Sequence, residues 1–124
     1  MIIGIGTDII DTMRIKKYLD DNSLLKDKLF SKAEQEYCDP KVNAHEHYAA
    51  RFAAKEAFFK ALGTGYRYGM AFHEIEVTKD ELGKPYIVLH GKSKEFAEER
   101  GVVNIHLSLS HLKDIASAYI ILEG

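Results

Sequence analysis

Arg51 to Gly65 reads R-F-A-A-K-E-A-F-F-K-A-L-G-T-G, and its spacing predicts the helix around which the rest of the chain is organised. At 100° per residue, Ala50, Ala54, Ala57 and Ala61 form one stripe of small side chains that lets another element approach closely. Phe52 and Phe59 fall at either end of the opposite face, with Phe58 and Leu62 on a flank. Such a helix is apolar around most of its circumference and should be largely buried. Glu56 interrupts it, projecting between Ala49, Phe52 and Phe59, where a partly desolvated carboxylate needs a cation, a metal or several donors. Lys60, one turn on, is the nearest local partner, and an ordinary i,i+4 ion pair worth roughly a few tenths of a kcal/mol is the commoner outcome of that spacing. The Gly63-Thr64-Gly65 run reads first as a C-cap with Gly63 left-handed. A pliable backbone beside a lysine and a hydroxyl also suits a phosphate group.

With 124 residues, 46% of them hydrophobic, the chain can build one core and hence a single domain over residues 1–124. Two prolines, no serine- or glycine-rich linker and no internal repeat leave no boundary to divide it. A net charge of −2 argues against wholesale nucleic-acid binding. The one cysteine, Cys38, excludes an intrachain disulfide, and no secretory or long apolar segment is present, so a cytosolic protein without membrane spans is expected. A lone thiol between Tyr37 and Asp39, with no evident base, is more often incidental than nucleophilic.

Working outward, Met1 to Ile10 alternates as a strand, one phase holding Ile3, Ile5, Thr7 and Ile9 and the other Gly4, Gly6, Asp8 and Ile10. Glycine inside a strand marks close approach of a ligand or another backbone. Asp8 shares that face, where it is well placed for a ligand; as a turn or cap residue at the strand's end it has an equally ordinary reading. G-I-G-T-D-I lacks the third glycine of a dinucleotide fingerprint. Asp11 is an N-cap for a helix through Leu19 that carries Arg14, Lys16 and Lys17. The basic excess from Arg14 to Lys32 suits either a docking surface for an acidic partner or, more commonly, a solvated face. Ser31-x-x-Glu34 and Asn43-x-x-Glu46 read as capping boxes, the second opening the central helix. His45 and His47, two apart, make a poor metal pair.

After the glycines, Tyr66 to Met70 reads as loop, and Ile75 to His90 as a hairpin turning at Gly83-Lys84-Pro85. Ser93 to Arg100 is a short helix ended by Gly101. Val103 to Ser110 alternates as a half-polar strand with His111 at its end, and Ile115 to Leu122 returns antiparallel to it. The order strand, three helices, hairpin, helix, hairpin predicts an α+β domain whose helices cover one face of a mostly antiparallel sheet. The polar face of Asn104 to Ser110 then needs water or a second subunit against it.

G-I-G-T-D-I-I, R-F-A-A-K-E-A-F-F-K-A-L-G-T-G, D-E-L-G-K-P-Y (Asp80 to Tyr86) and S-L-S-H (Ser108 to His111) together resemble, in order and spacing, the bacterial holo-acyl-carrier-protein synthases. These are the small 4′-phosphopantetheinyl transferases. The likeness runs nearly end to end and includes Arg14 and the F-S-x-x-E stretch from Phe30 to Glu34. It implies a magnesium-dependent enzyme of fatty acid biosynthesis that moves the phosphopantetheine arm of coenzyme A onto a serine of apo-acyl carrier protein, releasing adenosine 3′,5′-bisphosphate. It further implies a homotrimer with active sites between subunits. By the same resemblance Asp8 and Glu56 are the magnesium ligands and Lys60 contacts the pyrophosphate. Gly63, Thr64 and Gly65, with Lys84, Pro85 and His111, correspond to coenzyme A-binding parts, and Arg14 to the surface that docks the carrier protein.

The residues suit that chemistry independently. Magnesium takes one or two carboxylates and completes its octahedron with phosphate oxygens and water, and an attacking serine supplied by the partner explains why the chain offers no nucleophile of its own. The residues leave open whether Glu56 is ligand or base. Two other functions fit the same pattern: a magnesium-dependent coenzyme A diphosphate hydrolase, with water in place of serine, and a non-catalytic coenzyme A- or carrier-binding protein.

Overall fold

The computed structural model describes all of residues 1–124. Strand β1 (Ile2–Asp11) leads into four helices, α1 (Thr12–Asp21), α2 (Ser23–Leu29), α3 (Lys32–Cys38) and the long α4 (Ala44–Leu62). A hairpin of β2 (Ile75–Lys79) and β3 (Pro85–Leu89) follows, then α5 (Gly91–Glu99), β4 (Asn104–His111) and β5 (Ile115–Glu123). The strands form an antiparallel sheet in the order β1-β5-β4 and a separate two-stranded sheet, β2-β3. A gap of about 280 Å³, lined by Val88, Leu89, Val102 and Ile105 among others, lies between β3 and β4. The α+β class with helices on one face is thus present, in two sheets where one was expected.

Close packing of α4 on β1 explains the glycine phase of β1. A Cβ at Gly4 or Gly6 would overlap the carbonyl oxygens of Ala61 and Ala57, so the alanine stripe of the helix and the glycines of the strand meet backbone to backbone. The isoleucine phase faces outward instead, leaving Ile5 70%, Ile9 68% and, across β5, Tyr119 55% exposed. One apolar sheet face is therefore covered by helices and the other is bare.

Two expectations need correction. Asn43 makes no side-chain cap bond at the start of α4; Glu46, its supposed capping-box partner, lies instead 3.3 Å from Nδ1 of His111. Four helices, not three, precede the hairpin, because Asn22 both ends α1 and caps α2, its side chain accepting from Leu24 N at 3.1 Å. The Ser31-Glu34 capping box does form. Its glutamate then does more than cap. Buried Lys55 donates to Glu34 Oε1 at 2.7 Å and to the carbonyls of Phe72 and Ile75, while Glu34 Oε2 accepts from Val77 N. Both side chains are fully buried, and the pair binds α3, α4 and the start of β2 into one unit. Burial pulls the Lys55 ammonium below its ordinary value, against the opposing pull of Glu34.

Candidate active site

Asp8 follows Gly6 on the inward phase of β1, opposite Ala118 of β5, so its carboxylate rises beside α4 where the alanine stripe gives way to Glu56 and Lys60. Lys60 Nζ donates to Asp8 Oδ1 at 2.9 Å. The lysine therefore reaches across to the strand and not back along its own helix to Glu56. Asp8, Glu56 and Lys60 line a cavity of about 400 Å³ together with Ile9, Ile10, Asp11, Arg14, Tyr18 and Phe52. Burial, and then the nearby Asp8, hold Glu56 above the usual carboxylate range, with Lys60 opposing.

The cavity's other wall is set by a helix cap. Asp11 at the N-cap of α1 accepts from Met13 N at 2.8 Å and Arg14 N at 3.4 Å, and this entry geometry sets Arg14 in the lining of the same cavity. Arg14 Nε donates to Tyr18 Oη at 2.8 Å, a bond that raises the guanidinium above its ordinary value. One small volume therefore holds two acids on one side, a lysine between strand and helix, and an exposed arginine at the rim.

Such a donor set fits a magnesium ion that is shared with a ligand. Nowhere does the chain bring three His, Cys, Asp or Glu side chains together as a metal cage, but a destabilised carboxylate beside a second one, open to the cavity, leaves room for phosphate oxygens and water to complete the shell. The largest cavity, about 670 Å³, lies elsewhere, between α3 and the β2-β3 hairpin. Its acids are already engaged: Glu74 caps the start of α5 through Lys92 N, Ser93 N and Ser93 Oγ, and Glu76 accepts from Ser31 Oγ.

The remaining sequence-derived residues are spread out. Gly63 is the left-handed C-cap of α4 with φ 79°, its N–H donating to Lys60 O. Thr64 is buried and donates to Gly65 O at 2.8 Å, and Gly65 N reaches Phe59 O at 3.4 Å. This turn thus continues directly from Lys60. Lys84 and Pro85 line a separate cavity of about 290 Å³ with Asp80, Tyr86 and His106. His111 stands at the end of β4, beside Glu46 and with its ring centroid 5.8 Å from that of His47. Within one chain, then, Asp8, Glu56, Lys60 and Arg14 come together, whereas Lys84, Pro85 and His111 do not join them.

One cluster was not foreseen. Arg51 is 2% exposed, and its Nε has no hydrogen-bond acceptor. Its guanidinium lies 4.3 Å from the centroid of the Tyr37 ring, which Lys41 and Lys79 also approach. Lys79 donates to Tyr37 Oη at 2.7 Å and lowers the phenol's pKa. His47 is held below its ordinary value by burial, then by Arg51, His111, Lys79 and Lys41. Arg51, Lys41 and Lys79 thus concentrate positive charge around one tyrosine ring. The available signal was the i,i+4 spacing of His47 and Arg51, which puts both on one face of α4.

Residues 4–120 match the model of the 4′-phosphopantetheinyl transferase superfamily. The holo-[acyl-carrier-protein] synthase of Trichlorobacter lovleyi is 51% identical over 125 residues, covering 100% of this chain and 99% of the relative. Among solved structures, the holo-[acyl-carrier-protein] synthase of Neisseria meningitidis superposes with a TM-score of 0.92 at 34% identity, covering 100% of both chains. That of Bacillus anthracis, in complex with CoA (3′,5′-ADP), gives 0.80 at 36% identity over 98% of this chain and 96% of the other.

Proposed function

The chain belongs to the 4′-phosphopantetheinyl transferase superfamily, as an enzyme of the holo-[acyl-carrier-protein] synthase kind, and from that premise we propose that it transfers the 4′-phosphopantetheine group of coenzyme A to a serine of apo-acyl carrier protein, with magnesium, releasing adenosine 3′,5′-bisphosphate. The observation that carries this reading is the convergence of Asp8, Glu56 and Lys60 in one cavity with Arg14 at its rim.

Asp8 and Glu56 are the residues that would hold magnesium, which when bound neutralises charge on the diphosphate and polarises the phosphoryl group under attack. Lys60, half exposed, is free to exchange Asp8 for a diphosphate oxygen, and its ammonium stabilises the charge that builds on the leaving phosphate. Glu56, the carboxylate of the two that Lys60 leaves unpaired, is placed to accept the serine hydroxyl proton through an intervening water. The serine oxygen then bonds to the phosphorus bearing the pantetheine arm, and the anhydride bond to adenosine 3′,5′-bisphosphate breaks. Arg14 receives an acidic segment of the carrier at the mouth of the cavity.

The exposure of Ile5, Ile9 and Tyr119 on the bare sheet face supports self-association, which we read as a homotrimer. In such an assembly Lys84, Pro85, His111 and the Arg51 cluster of one copy would face the Asp8 cavity of another, supplying the coenzyme A contacts that one chain keeps apart. No helix is long and apolar enough to cross a membrane, and we place the enzyme in the cytosol with its carrier. Mass spectrometry of apo-carrier protein incubated with this chain, coenzyme A and magnesium tests the reading: the carrier should gain one phosphopantetheine, and coenzyme A cleavage without carrier modification would refute it.

A further inference from the structure

The segment after Lys60 has unusual backbone geometry. Gly63, Gly65, Tyr68 and Gly69 all have positive φ, and Tyr68, at 62°, is the one non-glycine residue in the chain that does. A tyrosine stays in that region only when its surroundings hold it there. The surroundings are on α5. The Tyr68 ring stacks on Phe96 with centroids 5.4 Å apart and planes 13° from parallel. Arg100 lies 4.7 Å from the Phe96 ring centroid and donates through Nη1 to Leu62 O, the last carbonyl of α4, at 3.4 Å. The ladder Tyr68-Phe96-Arg100-Leu62 therefore closes both ends of the glycine turn onto one helix. That helix is fixed in turn at its start by the Glu74 cap.

We propose that Phe96 and Arg100 are positioning residues that hold the turn Gly63 to Gly65, through Tyr68, in the conformation that receives the diphosphate of coenzyme A. The inference rests on the reading of Lys60 and this turn as the coenzyme A site. None of the ladder side chains lines the Asp8 cavity, so they act through backbone order and not by touching the reacting atoms. A turn released from the ladder samples more conformations and loses affinity by the ordering it must then supply on binding. Because the ladder works as a unit, its single and double disruptions should not add.

Coenzyme A is titrated calorimetrically into the full chain with magnesium and no carrier, and KM values for coenzyme A and for carrier are measured separately. Tyr68→Ala and Arg100→Ala should each weaken coenzyme A about three- to ten-fold, as expected for loss of one aromatic or cation-π contact. Their combination should be little worse than either, and Tyr68→Phe, which keeps the stack, should bind as the native chain does. The KM for carrier and kcat should stay within about two-fold. Unchanged coenzyme A affinity in both alanine variants would overturn the inference, as would an equal loss in Tyr68→Phe or an equal fall in carrier affinity. Failure of the native chain itself to bind coenzyme A would instead remove the functional reading, and the inference with it.

Discussion

Lys60 donates to Asp8 across 52 residues of sequence at 2.9 Å, although Glu56 sits one turn away on the same helix. The close approach of α4 to β1, which the glycines of the strand permit, makes the cross-element partner nearer than the local one. It leaves Glu56 partly desolvated beside a second carboxylate.

Asp8→Asn and Glu56→Gln should each lower kcat/KM for phosphopantetheine transfer at least about 100-fold, the scale on which catalytic electrostatics and general bases act. Far-ultraviolet circular dichroism should be unchanged. Native-like turnover in saturating magnesium by either variant would show that these acids are not the reacting centre.

In chelator, Glu56→Gln should raise Tm by a few degrees even as activity is lost. Burial and Asp8 raise the folded-state pKa of Glu56, so the charged form is penalised only in the fold. The penalty is complete above the folded pKa and gone below the unfolded one. The stability difference between variant and native chain should therefore shrink as pH falls through that window, which thermal melts from pH 4 to 8 would reveal (roughly the carboxylate range and above). Added magnesium should stabilise the native chain and not the variant.

Lys55→Met should destabilise by about 3–5 kcal/mol in urea unfolding, because it strands the buried charge of Glu34 and two carbonyls at once. Glu34→Gln should cost less, since Lys55 keeps the Phe72 and Ile75 carbonyls as acceptors, although the amide nitrogen then meets a donor. The reverse ranking would mean that the pair does not hold α3 to β2 as described.

Gly6→Ala should cost about 1–3 kcal/mol through overpacking, because its methyl meets the Ala57 carbonyl. By pushing α4 from β1 it should also lower kcat, as the Asp8 and Glu56 carboxylates separate. A variant with native stability would refute the backbone-to-backbone contact.

Arg14→Ala should raise KM for carrier protein about ten-fold while leaving coenzyme A affinity within two-fold, with the carrier KM of the native chain rising steeply with salt. Equal effects on both substrates would place Arg14 in the coenzyme A site instead.

Much of this was readable before folding. The small-residue stripe of α4, the glycine phase of β1, the Asp11 cap and the Ser31-Glu34 box are all patterns over a few residues, and short range is where periodicity and capping act. Asp8, Glu56 and Lys60 were singled out by environment: an acid among glycines, an acid among phenylalanines, a lysine before a glycine turn. The Asn43 box does not form because a distant histidine competes for Glu46, and the start of α2 is hidden in the sequence because Asn22 serves as a stop and a start at once.

What the sequence by itself determined is therefore most of the elements, the faces they bury and the side chains that do not belong on those faces, since each depends on neighbours three or four residues away. Only the tertiary structure decided which charges meet: Lys60 with Asp8 and not Glu56, Lys55 with Glu34, Arg51 left with a free nitrogen among cations. An ion pair is chosen by distance and desolvation, and both are set by how closely helix and strand can pack, which no local pattern contains.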